Sequence, residues 1–392
     1  MISFNNTEVA FRSKSKLQLR KAYYLFKLMG NPLLSSIGGN LAKVAIKMHL
    51  PVKGLIKRTI FQLFCGGESM EKCIPRIDEL AKHNIKTILD YSVEGKASEK
   101  DFNRTMKQIL ASINFANKNK NIPFAVFKVT GIARIGLLEK VNDEKALNEE
   151  EQKEYDRVIH RINKICKKAH QHVIPIMIDA EESWIQNTID SIIENMMRTY
   201  NNERAIVYNT LQMYRHDRLD YLKKMHKDSQ INGYFLGFKF VRGAYMEKEN
   251  ARAQKVGYAT PIQPNKEASD KDYDLAMEYA CENIHGISIC AGTHNEESLE
   301  YLVKLMKTYK IEKNNTKVYF AQLLGMSDHI SYNLANDGYN TVKYVPYGPI
   351  KDVLPYLIRR AEENTSIAGQ TGRELNLIIQ EIKRRKHESP ST

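Results

Sequence analysis

From about residue 85 onwards, the hydrophobic positions of the chain form short apolar runs that alternate with longer amphipathic segments. The runs are rich in β-branched and aromatic residues, which is typical of buried strands, whereas the longer segments repeat their apolar residues with the helical period. The predicted strands are Thr87–Val93, Phe124–Ile132, Val173–Ala180, Ala205–Gln212, Phe235–Tyr245, Gly286–Thr293, Lys317–Gly325 and Thr341–Pro346. The predicted helices between them are Lys100–Lys118, Glu149–His170, Trp184–Tyr200, Leu219–Lys227, Lys271–Asn283, Glu296–Thr308 and Asp328–Asn336.

This alternation predicts an α/β protein with a parallel sheet, because each strand is followed by a helix that returns the chain to the same end of the sheet. Eight such units in roughly 280 residues match the number and size of a closed (β/α)8 TIM-like barrel. An open, doubly wound sheet is the alternative. We therefore expect a basic, helical N-terminal extension over residues 1–84, the barrel over 85–364, and a C-terminal helix with a polar tail over 365–392.

The composition narrows the class of protein. With 392 residues, 42% of them hydrophobic, the chain can bury a large core. Its five cysteines are an odd number without a C-x-x-C pair, which favours a reducing compartment over a disulfide framework or a zinc site, so no metal site is expected. No apolar run is long enough to span a membrane, and no signal peptide is expected at the N-terminus.

The net charge of +13 is concentrated near the N-terminus. Residues 1–60 contain eleven basic side chains, and only Glu8 opposes them. Because apolar residues are interleaved with this charge, the segment suits an anionic membrane surface. A solvated helical hairpin that covers the main domain explains the pattern equally well. An organellar transit peptide and a nucleic-acid surface fit less well, since the segment is long for the first and lacks a motif for the second.

An amphipathic helix is predicted after the last strand and its Pro-Tyr-Gly turn. It should begin near Lys351 or Asp352, so that Pro355 falls in the first turn, where its missing N–H has no partner to lose. One face carries an aromatic ring, two guanidinium groups and a carboxylate that together could clamp a small carboxylate: Tyr356, Arg359, Arg360 and Glu363. A solvated face, with Arg359 and Glu363 as an i,i+4 ion pair, is the alternative.

Polar residues also gather where the predicted strands end, which is where α/β barrels place their catalytic groups. In chain order they are Lys128, Asp179, Glu181, Glu182, Tyr208, Thr210, Gln212, Tyr214, Lys239, Arg242, Tyr245, Thr293, His294, Asn295 and Gln322. Taken singly, each has a structural explanation, such as an ion pair between Lys128 and Asp179 or a helix cap. Together they predict a site for one large polar cofactor and a small substrate, because unpaired polar groups are costly to bury. No G-x-G-x-x-G motif follows a strand, and no Walker A sequence is present.

Several ordered segments carry a resemblance to a known family. They are LDYSVEG (89–95), FKVTGIARI (127–135), IDAEESW (178–184), YNTLQMYR (208–215), KFVRGAYMEKE (239–249), THN (293–295), QLLGM (322–326) and KYVPYGPIKDVLPYLIRRAEEN (343–364). On these segments the chain resembles the flavin-dependent proline dehydrogenases, in particular their stand-alone, mitochondrial-like branch. The resemblance extends from about residue 20 to residue 365.

The resemblance implies a distorted barrel whose last helix lies over the barrel mouth, non-covalent FAD at the strand ends, and oxidation of L-proline to Δ1-pyrroline-5-carboxylate. It assigns the substrate to Lys128, Asp179, Tyr245, Leu323, Tyr344, Tyr356, Arg359 and Arg360. It assigns FAD to Gln212, Lys239, Val241, Gly243, Thr293, His294, Asn295 and Glu363. The electrons would pass to a membrane quinone, which implies a peripheral position at the inner membrane, on the cytoplasmic side or on the matrix side of a mitochondrion.

Two positions refine this expectation. Some bacterial members carry arginine where this chain has Lys239, so the positive charge is kept but the paired hydrogen bonds are not. Tyr344 is the residue of the proline-type members. A Schiff-base lyase of aldolase type, with Lys128 or Lys239 as the amine and Asp179 as the proton shuttle, is the alternative function. A non-catalytic adaptor that binds membranes through its basic N-terminus is a second alternative.

Overall fold

The strands form a closed barrel in the computed structural model, which describes residues 2–29, 61–92, 98–357 and 370–388. Each strand is hydrogen-bonded to the next in chain order, and the registers from β1 to β7 are parallel. The predicted (β/α)8 barrel is therefore confirmed. The strands are β1 (Ile85–Tyr91), β2 (Phe124–Lys128), β3 (Ile176–Asp179), β4 (Val207–Gln212), β5 (Leu236–Val241), β6 (Ile287–Gly292), β7 (Val318–Leu323) and β8 (Thr341–Tyr347).

Helices precede the barrel, alternate with its strands and follow it. In chain order they are Thr7–Phe11, Lys16–Met29, Gln62–Phe64, Met70–Ala81, Glu99–Asn117, Ile135–Asn142, Glu149–His172, Ser183–Tyr200, Arg218–Asn232, Met246–Val256, Lys266–Glu282, Glu296–Thr308, Asp328–Asn336 and Gln370–His387. Residues 350–357 are helical as well. Many of these helices begin at a side chain that accepts a hydrogen bond from the first turn, as Asn148 does in a full capping box with Glu151.

The strands are buried almost throughout, which explains why they read as continuous apolar runs in the sequence. Aromatic rings fill the barrel interior near the start of β2. The ring of Phe124 meets the rings of Tyr208 and Tyr319 edge-on, with centroids 5.5 and 4.8 Å apart. Because Phe124 is the first residue of β2, this packing fills the end of the barrel opposite to the one where catalytic groups are expected.

The chain divides into two compact units. Unit 1 comprises Met1–Thr87, Ser92–Glu94 and Gln322–Thr392, and unit 2 comprises Ile88–Tyr91 and Gly95–Ala321. Within unit 1, both ends of the chain are joined, because Arg385 donates hydrogen bonds to the main-chain oxygens of Phe11 (2.8 Å) and Lys14 (2.7 Å). The domain boundaries given above from the sequence stay a prediction.

Two strands, β2 and β5, end four residues earlier than predicted. β2 ends at Lys128 instead of Ile132, because a 3₁₀ turn at Val129–Gly131 follows it at once. β5 ends at Val241 instead of Tyr245, because the left-handed backbone of Gly243 (φ +136°) takes the chain out of the sheet. The helices Ile135–Asn142 and Met246–Val256 were not predicted. The first is only 8 residues long, and the second is mostly polar, so neither produces a clear apolar period.

The helix after β8 begins about one residue earlier than predicted. The main-chain N–H groups of Asp352 and Val353 both donate to the oxygen of Pro349, and residue 350 is already helical. Pro355 therefore lies in the second turn, where it removes one intrahelical hydrogen bond. The helix is amphipathic as predicted, and its apolar residues Val353, Leu354 and Leu357 are buried. The helix is described as far as residue 357, so Arg359, Arg360 and Glu363 lie outside the described residues.

Candidate active site

The centre of the candidate site is a carboxylate shared by two lysines. Lys128 and Asp179 end the neighbouring strands β2 and β3 and lie in register, with Lys128 Nζ 2.5 Å from Asp179 Oδ2. The other carboxylate oxygen, Oδ1, accepts a hydrogen bond from Lys239 of β5. The structure thus joins two residues predicted to contact the substrate to one predicted to contact the cofactor.

These three groups determine one another's charge. Burial alone would raise the pKa of Asp179, but the ammonium groups of Lys128 and Lys239 outweigh burial and hold this pKa well below its usual value. Burial opposes the charged form of Lys128, and the carboxylates of Asp179 and Asp90 reverse that effect, so its pKa lies well above the usual range. Asp179 and Lys128 are therefore charged at neutral pH, and Lys239 donates a hydrogen bond to the same carboxylate.

A second buried carboxylate lies two residues after Asp179. Glu181 is 3% exposed and accepts hydrogen bonds from the main-chain N–H of Thr130 (3.0 Å) and from its hydroxyl. Burial raises the pKa of Glu181 from about 4.5 to about 7, although Thr130 and the charge of Lys128 act in the opposite direction. Glu181 was among the strand-end residues but not among the predicted site residues. Its position beside an ion pair depends on the turn after β2, which the sequence pattern did not reveal.

Gln212 extends this group towards β4. Its side-chain amide donates to the main-chain oxygen of Glu181 at 2.7 Å, and Gln212 is itself 3% exposed. The main-chain N–H of Glu181 donates to Gln186 Oε1 at 2.8 Å, and Gln186 in turn donates to Asp190. Glu181 is therefore held through both its main chain and its side chain, which leaves it little freedom to move.

The ends of β5 and β6 are tied by Arg242. Its guanidinium donates to Asp270 Oδ1 (2.5 Å), Thr293 Oγ1 (2.5 Å) and Ser298 Oγ (2.9 Å), and it lies over the ring of Tyr273. Thr293 and Ser298 thereby fix the start of the Glu296–Thr308 helix relative to β5. Arg242 was not a predicted site residue, and in the structure it organises the predicted cofactor residue Thr293.

The other predicted cofactor residues lie on the same two strand ends. Asn295 caps the Glu296–Thr308 helix by accepting from the N–H of Ser298, and its own N–H donates to Thr293 Oγ1 at 3.1 Å. His294 is half-buried between them, and Val241 is the half-buried last residue of β5. Gly243 follows in the loop after β5, where a Cβ atom would lie 2.4 Å from the ring of Tyr214. Only glycine fits there.

Tyr245 is the remaining predicted substrate residue of unit 2. It is half-buried at the start of the Met246–Val256 helix, and burial raises the pKa of its hydroxyl. The positive charge of Lys128 opposes this rise in pKa.

The predicted apolar residues of the substrate site lie in unit 1. Leu323 packs against a hydrophobic cluster that contains Tyr356, which is 7% exposed. The other buried members of this cluster are Phe61, Phe64, Cys65, Met326, Val353 and Leu357. Tyr344 is buried on β8, and its main-chain oxygen accepts from the N–H of Leu324 at 2.9 Å. Of the polar face predicted after β8, only Tyr356 is described, and it is buried among apolar side chains.

Residues 73–373 match the family model described as "Proline dehydrogenase". The chain belongs to the proline dehydrogenase family. This confirms the family inferred from the sequence resemblance, and with it the expected class of enzyme, an oxidoreductase. The adaptor alternative is thereby excluded.

The relatives that this chain is similar to include eukaryotic and bacterial proteins. Proline dehydrogenase 1, mitochondrial, from Dictyostelium discoideum is 32% identical over 97% of this chain and 74% of its own length. The protein of that name from Homo sapiens is 38% identical over 60% of this chain and 40% of its own length. The carbapenem antibiotics biosynthesis protein CarD from Pectobacterium carotovorum is 31% identical over 85% of this chain and 86% of its own length.

Solved structures agree with the fold. Proline utilization A from Bdellovibrio bacteriovorus, in a form inactivated by N-propargylglycine, superposes with a TM-score of 0.77 at 18% identity. The match covers 96% of this chain but only 44% of the solved chain, so this chain spans less than half the length of that structural relative. At this identity the likeness supports the family's barrel architecture alone.

Proposed function

We propose that the chain oxidises L-proline to Δ1-pyrroline-5-carboxylate, with FAD as the hydride acceptor and a membrane quinone as the final acceptor of the electrons. Beside family membership, the observation that carries this proposal is the carboxylate of Asp179 shared by Lys128 and Lys239 at the strand ends. That arrangement links the residue expected beside the substrate carboxylate to the residue expected beside the flavin.

The residues at these strand ends fit FAD in charge and in chemistry. Lys128 and Lys239 share the carboxylate of Asp179, and the guanidinium of Arg242 beside Thr293 is paired with Asp270. Cationic donors held in place by such partners suit a phosphate-bearing cofactor that becomes more negative on reduction. Gln212, Lys239, Val241, Gly243, Thr293, His294, Asn295 and Glu363 would hold it. When bound, FAD supplies the two-electron acceptor for the reaction.

The protein's own residues orient the substrate and manage charge. Lys128, held as an ammonium by Asp179, would neutralise the proline carboxylate together with Arg359 and Arg360. Tyr245, Leu323, Tyr344 and Tyr356 would surround the ring and exclude water. In the balanced reaction, the ring carbon beside nitrogen gives up a hydride and the nitrogen gives up a proton, so a C=N bond forms. The nitrogen must first be deprotonated, and activity should therefore rise with pH.

The charge of Lys128 argues against the Schiff-base alternative. A lysine that attacks a carbonyl must be neutral, and such lysines have a lowered pKa. The carboxylates of Asp179 and Asp90 instead raise the pKa of Lys128. Lys239 donates to the same carboxylate of Asp179 and is buried with it. The two candidate amines are thus ion-paired, which supports oxidation over lyase chemistry.

The visible spectrum of the purified protein tests this function. A yellow protein with flavin bands that L-proline bleaches in the absence of oxygen is the expected result. A colourless protein, or one whose flavin proline does not reduce, would overturn the proposal. Borohydride trapping of a keto substrate on Lys128 or Lys239 would instead establish the lyase.

The quinone and the location complete the proposal. Several relatives are named as mitochondrial, and we propose that this chain works at the inner membrane, on the matrix side in a eukaryote and on the cytoplasmic side in a bacterium. No helix in the described part of the chain is long and apolar enough to cross a membrane. Access to a quinone would then come from surface contact, for which the basic N-terminal region is suited.

A further inference from the structure

We propose that Lys343 is a positioning residue that holds Leu323 and Tyr344 in place and thereby sets the enzyme's affinity and selectivity for the proline ring. This inference rests on the proposed function, because it assumes that Leu323 and Tyr344 line the substrate site. It concerns residues of unit 1 only, and nothing in the sequence pattern distinguished Lys343 from the strand around it.

The side chain of Lys343 is fully buried, and its Nζ has three acceptors within reach. It lies 2.6 Å from the main-chain oxygen of Met326, 3.4 Å from that of Leu323 and 2.9 Å from Asp328 Oδ1. Burial lowers the pKa of Lys343, and the carboxylate of Asp328 opposes that shift. All three acceptors belong to the turn of residues 323–328, so one side chain contacts both ends of that turn.

The turn needs such support because its backbone is strained. Gly325 (φ +77°) and Ser327 (φ +50°) both adopt the left-handed conformation, which is unfavourable for serine. At Gly325 a Cβ atom would lie 2.6 Å from the main-chain oxygen of Leu63. The N–H of Ser327 donates to the buried carboxylate of Glu374. Lys343 and Glu374 therefore hold the same turn from β8 and from the C-terminal helix.

The turn includes Leu323 and is hydrogen-bonded to the main chain of Tyr344. Leu323 is the last residue of β7, and its own oxygen is one of the acceptors of Lys343. The next residue, Leu324, donates its N–H to the oxygen of Tyr344, at 2.9 Å. Because side chains alternate along a strand, Lys343 and Tyr344 point to opposite faces of β8. Lys343 thus holds the turn from one face of β8, while the side chain of Tyr344 lies on the opposite face.

A second lysine provides a matched control. Asp328 lies between Lys343 and Lys14, whose Nζ is 2.6 Å from the other carboxylate oxygen. Lys14 shares the carboxylate with Lys343, but in the contacts described it reaches only Asp328 and not the main chain of the turn. Replacing either lysine removes one ion pair of Asp328. Only replacement of Lys343 also removes the hydrogen bonds to Leu323 and Met326.

The test compares Lys343→Met with Lys14→Met in the flavin-loaded protein. We expect Lys343→Met to raise the KM for proline about tenfold with a smaller change in kcat, and to narrow the preference for proline over hydroxyproline. We expect Lys14→Met to lower thermal stability while the KM stays within about twofold. Cyclopentanecarboxylate, which cannot be oxidised at a ring nitrogen, should show the same loss of affinity when its binding is followed through the flavin spectrum.

Several outcomes would overturn the assignment. A Lys343→Met protein with unchanged affinity for proline and cyclopentanecarboxylate contradicts it, and so does a Lys14→Met protein with an equal loss of affinity. If Lys343→Met does not fold, Lys343→Gln, which keeps two donors, should fold and show a smaller shift in the same direction. A wild-type protein that proline does not reduce would refute the proposed function itself, which separates the two failures.

Discussion

The carboxylate of Asp179 pairs with two lysines that would otherwise repel each other. Removing one partner of a buried ion pair leaves a charge without compensation, at a cost of about 3 kcal/mol or more. Here the loss of one carboxylate would remove an ion pair from both Lys128 and Lys239.

The first prediction concerns Asp179→Asn. We expect the free energy of unfolding to fall by about 3 kcal/mol and kcat/KM for proline to fall about 100-fold, because neither lysine keeps its orientation. Asp217→Asn is the control, since Asp217 also lies between two cations, Arg215 and Arg218, with a pKa held down to about 2. Urea unfolding and steady-state kinetics measure both effects. Equal losses of activity in the two variants would show that the effect is not specific to Asp179.

The second prediction concerns Glu181 and pH. Its pKa is about 7 in the folded protein against about 4.5 ordinarily, so the folded state binds the extra proton between these values. Stability contributed by this group is therefore fully present below pH 4.5 and is lost as the pH rises through 7. Glu181→Gln keeps acceptors and donors for Thr130 without a charge. The wild-type protein loses this stability as the pH rises, and the variant does not. The free energy of unfolding of the variant minus that of wild type should therefore increase by on the order of 3 kcal/mol between pH 5 and pH 8.

Urea unfolding at the two pH values, with equal flavin content in both proteins, tests this prediction. A stability difference between wild type and Glu181→Gln that does not change with pH would contradict it. Thr199→Val, at an exposed hydroxyl of the Ser183–Tyr200 helix, serves as a pH-independent control.

At the level of elements, the sequence pattern located all eight strands, because each is a short apolar run that is buried on both sides. Helix Glu296–Thr308 was predicted to the residue, since Asn295 caps it and its apolar period is regular. The ends of β2 and β5 were not predictable, because they depend on a turn held by Glu181 and on the fit of Gly243 against Tyr214. Such contacts join residues that are far apart in sequence and leave no periodic signal.

The candidate site, too, was predictable from the sequence only in part. The family motifs identified Lys128, Asp179 and Lys239, but not that both lysines share one carboxylate. Charge partners across a barrel depend on strand register and on side-chain length, neither of which a single sequence displays. Arg242 and Glu181 were missed as site residues for this reason.

The third prediction concerns the loop after β5. At Gly243 an added methyl group would meet the ring of Tyr214 at 2.4 Å, in a backbone conformation that other residues rarely adopt. Gly243→Ala should therefore lower stability by about 3 kcal/mol and weaken flavin retention. Gly257 also has a positive φ, but a Cβ atom added there would have no other atom within 4 Å. Gly257→Ala should therefore lower the free energy of unfolding by only about 1 kcal/mol, and the protein should retain its flavin. Thermal unfolding and the absorbance ratio of flavin to protein measure both, and equal effects would rule out the steric explanation.

At the scale of the molecule, the Lys16–Met29 helix has one buried face, and its exposed face combines basic side chains with apolar ones. Leu19, Ala22 and Phe26 pack into a cluster with Leu377 and Ile378 of the C-terminal helix. On the opposite side, Leu17 and Tyr24 are 64% and 63% exposed. They lie among Lys16, Arg20, Lys21 and Lys27, and the helix has no acidic residue. Such a face suits the surface of an anionic bilayer.

The fourth prediction follows from this face. The protein should bind vesicles that contain phosphatidylglycerol more tightly than vesicles of phosphatidylcholine alone, and added salt should weaken the binding. Leu17→Ser with Tyr24→Ser should reduce binding about tenfold. Ile231→Ser with Val256→Ser, at residues 73% and 62% exposed in unit 2, is the matched control and should leave binding unchanged. Cosedimentation with vesicles measures the binding. If the Leu17 and Tyr24 variant bound as tightly as wild type, the membrane contact would not lie on this helix.

The joining of both chain ends within unit 1 has a consequence for biosynthesis. Lys14 and its partner Asp328 are 314 residues apart in sequence, and Phe11 and Arg385 are 374 residues apart. A ribosome releases the N-terminal helices long before either partner has been translated, whereas unit 2 is made as nearly one continuous stretch. The contacts of unit 1 between the two ends of the chain can therefore form only after the barrel strands and the C-terminal helix have been translated, which makes them the last part of the fold to be completed.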